Sequence, residues 1–166
     1  MISAFDIAKK KIPKLHGLIP IPSSLSASQA FNELRIRKDI SFLENSAIDV
    51  LRVADAGLIK SGTSNLQAAL AGLPFAMVYK ANFVTEVIVR MLFKRRVFSI
   101  VNIIKEGSIR EIIQGEVRED ILAQEIEDLL LNNEYREKIK QNLLLVEKEL
   151  TVSGNSLTAK RVAELF

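Results

Sequence analysis

The chain has 166 residues, 48% apolar and 26% charged, which suits one domain with a real core. Its 23 basic and 20 acidic side chains leave a net charge of +3, mostly interspersed, which excludes the concentrated basic face of a nucleic-acid binder. With no cysteine and one histidine, His16, disulfides, thiolate sites and histidine metal centres are excluded.

In chain order, apolar residues at Ile2, Phe5, Ile7, Ala8 and Ile12 predict a short amphipathic helix ending before Pro13. Residues 15–21 read as a buried strand bounded by prolines, with His16 a structural residue at its start. Residues 26–34 read as a helix, and Ile40, Phe42 and Leu43 suggest another strand. A helix over 48–54, a strand over 57–60, an alanine-rich helix over 63–71 and a strand over 75–79 follow. A helix over 84–93 with a wide apolar face comes next, then a strand or extended segment over 99–104. Amphipathic helices over 121–131 and 134–150 and a closing helix over 157–166 complete the chain. Glu125, Glu127 and Asp128 read as a solvated helix face.

Alternation of strands and helices through the first hundred residues predicts an α/β, Rossmann-like parallel sheet with helices on both faces. A helical C-terminal third follows. No repeat and no Gly-, Ser- or Pro-rich linker divides the chain. It is expected to form a single domain, with an α/β part over 1–115 and a helical part over 116–166. No uncharged run approaches the ~18 residues of a spanning helix, and the first ten residues lack the apolar core of a signal peptide, so a cytoplasmic location is expected. The mean hydropathy of +0.17 hints at a covered or membrane-facing surface.

The segment over 54–74 carries the main site signal. A strand runs into Ser61-Gly62-Thr63, where a helix starts. Small residues there allow a ligand close to the backbone, and amides at a helix N-terminus favour phosphate. The alternative is that Ser61 or Thr63 simply caps the helix.

This stretch, followed by Tyr79-Lys80, resembles the C-terminal domain of GT-B glycosyltransferases, and in particular the lipid-A-disaccharide synthase family. In that family a Ser-Gly-Thr-x-x-Leu-Glu-Ala-Ala-Leu run precedes a strand ending near Tyr-Lys or Tyr-Arg. A second block agrees in order and spacing. The run over 99–104 and then Glu111-Ile112-Ile113-Gln114 resemble the family's Pro-Asn-Leu-Leu and Pro-Glu-Leu-Leu-Gln segments. Three residues depart from the pattern: Gln67 stands for Glu, and Val101 and Arg110 stand for prolines. The family's N-terminal domain and its Pro-Gly-Ser-Arg turn have no counterpart here, so the sheet is expected to lack its first, central strand.

The resemblance implies transfer of a diacylglucosamine from its UDP derivative to a lipid monosaccharide acceptor, in lipid A biosynthesis. It implies that Ser61, Gly62 and Thr63 receive the diphosphate, Gln67 the ribose, and Asn102 the diphosphate or sugar. Glu111 and Gln114 carry over as site-supporting residues. No cofactor and no metal are implied, and the catalytic base falls in the absent half. A separately encoded N-terminal half or a homodimer partner would complete the enzyme. The alternatives are another GT-B transferase using a different UDP-sugar, or a non-catalytic module pairing with a separate N-terminal half.

The helix over 84–93 ends in a basic cluster, Arg90, Lys94, Arg95 and Arg96. Such a helix can lie on a membrane, its cations meeting anionic headgroups. It can equally be a core helix whose cations suit the helix dipole. The membrane reading places the protein at the periphery of the inner membrane.

Overall fold

The computed structural model describes residues 1–26, 28, 31–80 and 97–152. Helix α1 (Ile2–Lys11) buries Ala4 and Ala8, one turn apart, and gathers Lys9, Lys10 and Lys11 at its C-terminal end, where the dipole favours cations. Strands β1 (Gly17–Ile21) and β2 (Ile40–Glu44) pair in parallel, with Gly17 opposite Ile40. Between them lie two single-turn helices, α2 (Ser23–Ser26) and α3 (Asn32–Arg35). Then come α4 (Ala47–Val53), β3 (Gly57–Lys60), α5 (Ser64–Leu70), β4 (Phe75–Tyr79), α6 (Ile100–Ile104) and β5 (Glu111–Ile113). A 3-10 turn over Gln114–Glu116 leads to α7 (Glu119–Leu131) and α8 (Asn133–Val152).

Strands β3, β4 and β5 form a second parallel sheet with β4 at its centre. The β4 run Phe-Ala-Met-Val is apolar at every position because both of its faces are covered. Phe75 and Met77 enter a cluster with Ala68, Ala69, Val101, Ile104, Leu129, Ile139, Leu143 and Val146. Ala76 and Val78 point the other way, to Ala4, Ala8, Ile112, Leu122 and Ala123. The period of two along one strand thus sorts α5, α6 and α8 to one face and α1 to the other, with α7 reaching both. The parallel α/β architecture expected from sequence is present, as two sheets. The outer edges of β1 and β3 pair with no strand among the described residues. Helix α4 bridges the sheets, packing against β1, β2 and α5.

A charged clamp joins α1 to the start of β2. The Arg37 guanidinium meets Asp39 at 2.9 and 2.8 Å and Asp6 at 2.6 Å, while lying 5.5 Å from the Phe5 ring centroid. The hydrogen bonds from Arg37 hold the Asp39 carboxyl well below the usual carboxylate range. His16 sits within hydrogen-bond distance of Ser41, a structural role.

Four expectations are corrected. The helix read over 26–34 is not continuous: Ser28 lies outside any helix, between the single turns Ser23–Ser26 and Asn32–Arg35. The segment over 99–104 is not extended: Ile100–Ile104 is helical, with Ser99 Oγ accepting from the Val101 N–H at its N-cap. The strand over Glu111–Ile113 has no counterpart among the predicted elements, being only three residues long. Glu125 and Glu127 are buried, not solvated. Glu125 takes Arg110 Nη1 at 2.7 Å and Tyr135 Oη at 2.8 Å, and Glu127 takes Lys11 Nζ at 2.6 Å. Each buried carboxylate is paired with a cation that reaches in from the surface, as buried charge requires. The helices expected over 84–93 and 157–166 lie outside the described residues.

Candidate functional site

The parallel strands of the larger sheet all point their C-terminal ends at one edge. There β3 runs out at Lys60 into the turn Ser61-Gly62-Thr63, and α5 begins at Ser64. Gly62 has φ +149°, a conformation side-chain-bearing residues rarely adopt, and a Cβ built on it would meet nothing within 4 Å. The backbone, not crowding, therefore selects glycine, and the space in front of it is open.

Thr63 stands at the N-cap but makes no side-chain capping bond, so capping by Thr63 does not account for this turn. The N–H groups of Asn65, Leu66 and Gln67 are consumed by the carbonyls of Gly62 and Thr63, at 3.2, 3.0 and 3.2 Å. The N–H groups of Gly62, Thr63 and Ser64 have no backbone acceptor among the described residues. Three successive N–H groups without a backbone acceptor among the described residues are donors that an anion can use.

Register brings further groups to the same edge. Lys60 lies opposite Val78, and Tyr79 lies opposite Ile113. Lys80 and Gln114 therefore follow the ends of β4 and β5 beside the turn. Lys60 and Lys80 are exposed cations there, and sequence reasoning assigned neither a role. Gln114 holds φ +51°, a left-handed conformation unusual for a residue other than glycine, of a kind found clustered at functional sites. Gln67 is exposed on α5 one turn beyond the glycine.

Asn102 and Glu111 form a different unit. Asn102 is buried, its Nδ2 donating to Ile109 O and Glu111 Oε1 at 2.9 Å each and its Oδ1 accepting from the Ile109 N–H at 3.0 Å. The Glu111 carboxylate also accepts from the Phe98 and Ser99 N–H groups at 2.9 Å. Every donor of Asn102 is thus spent inside the protein. Glu111 precedes Gln114 by about 10 Å of strand, away from the C-terminal edge. The pair locks the chain entering α6, which packs beside α5.

Two departures from the family pattern have local reasons. Val101 buries its side chain in the core and gives its N–H to the Ser99 cap, a bond proline cannot make. Arg110 neutralises the buried Glu125. Beside Lys60 and Lys80, Asn65 is a functional candidate that sequence reasoning missed. An amide side chain just after a glycine turn was its only signal. Arg90, Lys94, Arg95 and Arg96 lie outside the described residues. Among the described residues no helix is long and apolar enough to cross a membrane.

Parallel strands, helices on both faces and a small-residue turn at the strand ends define a Rossmann-like α/β unit of the kind found in half of a GT-B fold. A model of the lipid-A-disaccharide synthetase family matches residues 1–164, and the chain belongs to that family. Among curated relatives, the lipid-A-disaccharide synthase of Anaeromyxobacter sp. (strain K) is 29% identical over 99% of this chain and 43% of that protein. The one from Geobacter sulfurreducens is 29% identical over 89% of this chain and 39% of its own length. That of Rickettsia prowazekii is 31% identical over 75% of this chain and 34% of its own length. The chain spans less than half the length of these relatives.

Proposed function

We propose that this chain supplies the UDP-sugar side of a lipid-A-disaccharide synthase. The complete enzyme transfers 2,3-diacylglucosamine from its UDP derivative to 2,3-diacylglucosamine 1-phosphate and releases UDP. The observation that carries this reading is the exposed Ser61-Gly62-Thr63 turn, with three open N–H groups beside Lys60 and Lys80. Glycosyl transfer needs the departing diphosphate stabilised and the acceptor hydroxyl deprotonated. Amides and cations at the turn serve the first need. Gln67 would reach the ribose as a neutral hydrogen-bonding group, without the charge-assisted bond a carboxylate gives. Glu111 and Asn102 act from behind, fixing the chain that enters α6, and Gln114 lines the edge. The base comes from the remaining length of the enzyme.

The outer edges of β1 and β3, which pair with no strand among the described residues, support the view that further polypeptide completes the sheet. The basic cluster Arg90, Lys94, Arg95 and Arg96 brings the enzyme to an anionic membrane surface, where both lipid substrates reside.

Titration of the chain with UDP tests the binding half of this reading. Saturable binding is expected, and its absence overturns the assignment. Reconstitution with a polypeptide carrying the rest of a relative's length tests the catalytic half. Turnover of UDP-2,3-diacylglucosamine is expected from the pair and not from this chain alone. A panel of other nucleotide sugars checks the donor, and preference for a different UDP-sugar would make the enzyme another GT-B transferase.

A further inference from the structure

Asn65 is fully buried, yet it is the second residue of a seven-residue helix that opens on an exposed turn. Its Nδ2 donates to Lys60 O at 2.9 Å and to Gly62 O at 3.0 Å, and its own N–H also reaches Gly62 O at 3.2 Å. Its Oδ1 is a buried acceptor with no hydrogen-bond partner among the described residues. The orientation of the amide is forced, since only its NH2 end can face two carbonyls.

We infer that Asn65 is a positioning residue that aims the backbone amides of the turn at the diphosphate, an inference that rests on the reading of this turn as the UDP site. In a trans peptide the C=O and the following N–H point in opposite directions. Drawing the Gly62 carbonyl inward therefore turns the Thr63 N–H outward. The Lys60 carbonyl is held by the same amide, while the Ser61 N–H is held by Val78 O at 3.1 Å. The peptides joining Lys60 to Ser61 and Gly62 to Thr63 are thus anchored, which fixes the turn that carries the open N–H groups of Gly62, Thr63 and Ser64. The unmatched Oδ1 fits this role, because an unpaired buried acceptor costs stability that an apolar side chain of the same size would not incur. Serine and threonine have one donor and cannot hold both carbonyls, aspartate has none when ionised, and leucine fills the same space with none.

The test compares UDP with uridine on the whole 166-residue chain. Asn65→Leu removes both hydrogen bonds together with the orphan oxygen, so its melting temperature is expected to stay close to the parent's. Its UDP affinity is expected to fall about tenfold, the scale of one charge-assisted hydrogen bond, with uridine affinity unchanged. The UDP-induced shift of the Thr63 amide proton in NMR spectra is expected to disappear. Asn65→Ser, with one donor, should recover part of both signals, and it decides the matter should Asn65→Leu not fold. UDP and uridine affinity falling together, in step with melting temperature, would make Asn65 merely structural and overturn the inference. Gly62→Val separates the two readings. Loss of UDP affinity in Gly62→Val but not in the Asn65 variants rejects the role of Asn65 alone, whereas retention in all of them rejects the turn as the phosphate site.

Discussion

At the scale of single residues, the turn makes glycine a conformational requirement. With φ at +149°, Gly62→Val is expected to cost about 1–3 kcal/mol in backbone strain, even though its Cβ meets no neighbour. The branched side chain would also occupy the open space before the amides. UDP affinity is therefore expected to fall by well over tenfold while the melting temperature drops by only a few degrees, as calorimetry and thermal unfolding would record. Losses of affinity and stability in equal proportion would mark Gly62 as purely structural. The sequence reveals this turn because small residues between a strand and an alanine-rich helix are a local pattern. Asn65 escapes such a reading, since its partners are the backbone carbonyls of Lys60 and Gly62, which only the folded turn presents to it. Asn102 differs in kind. Its position within a family-like segment suggests a ligand contact, while the fold spends its amide on Ile109 and Glu111.

Among the elements, Arg110 and Tyr135 close on the buried Glu125 carboxylate and tie the start of β5 to α7 and α8. Arg110→Met would leave the Glu125 carboxylate, 1% exposed, facing only a phenol. A loss of about 3 kcal/mol is expected, at the low end for a broken buried pair because Arg110 is itself partly exposed. The urea midpoint measures it, and a change below about 0.5 kcal/mol, typical of a surface substitution, would show that the pair contributes little. Tyr135 adds a pH signature. Burial, and then its bond to Glu125, push the phenol well above its ordinary value. The folded chain therefore keeps a proton that the unfolded chain releases near pH ~10. This contribution is whole below that pH and is lost as pH rises through the raised folded value. Between pH 9 and 11 the parent should lose stability more steeply than Tyr135→Phe, and parallel curves would refute the linkage. The strand Phe75–Tyr79 is legible from its unbroken apolar run, and α1, β3 and α5 from period and punctuation. The helix Ile100–Ile104 is not, because its β-branched residues suggest a strand. Its N-terminus is secured by Glu111, more than ten residues away, and no local pattern reports so distant a carboxylate.

For the molecule as a whole, the membrane proposal makes its own demand. Replacing Lys94, Arg95 and Arg96 together with Gln is expected to weaken attachment to anionic vesicles by up to about 3 kcal/mol, roughly 1 for each cation near the surface. The effect should shrink with salt, since the attraction is screened over about 8 Å at physiological ionic strength. Equal pelleting of the triple variant and the parent on anionic vesicles at low salt would reject the contact. The unpaired sheet edges carry a different consequence, for solubility. An open strand edge is a template on which other chains can stack and precipitate. In a parallel ladder, alternate residues bond to alternate sides. The N–H of Gly17 reaches Asp39 O and the carbonyl of Ile21 accepts from Asn45, so the peptide groups of Leu18 and Pro20 face the outer edge of β1. Proline has no N–H to offer there. On β3 the Gly57 and Ser61 N–H groups turn toward β4, which leaves Lys60 O on the outer side, already occupied by Asn65. Each edge thus lacks one rung that an unspecific strand would need, so indiscriminate stacking is discouraged while a segment shaped to the remaining rungs can still enter.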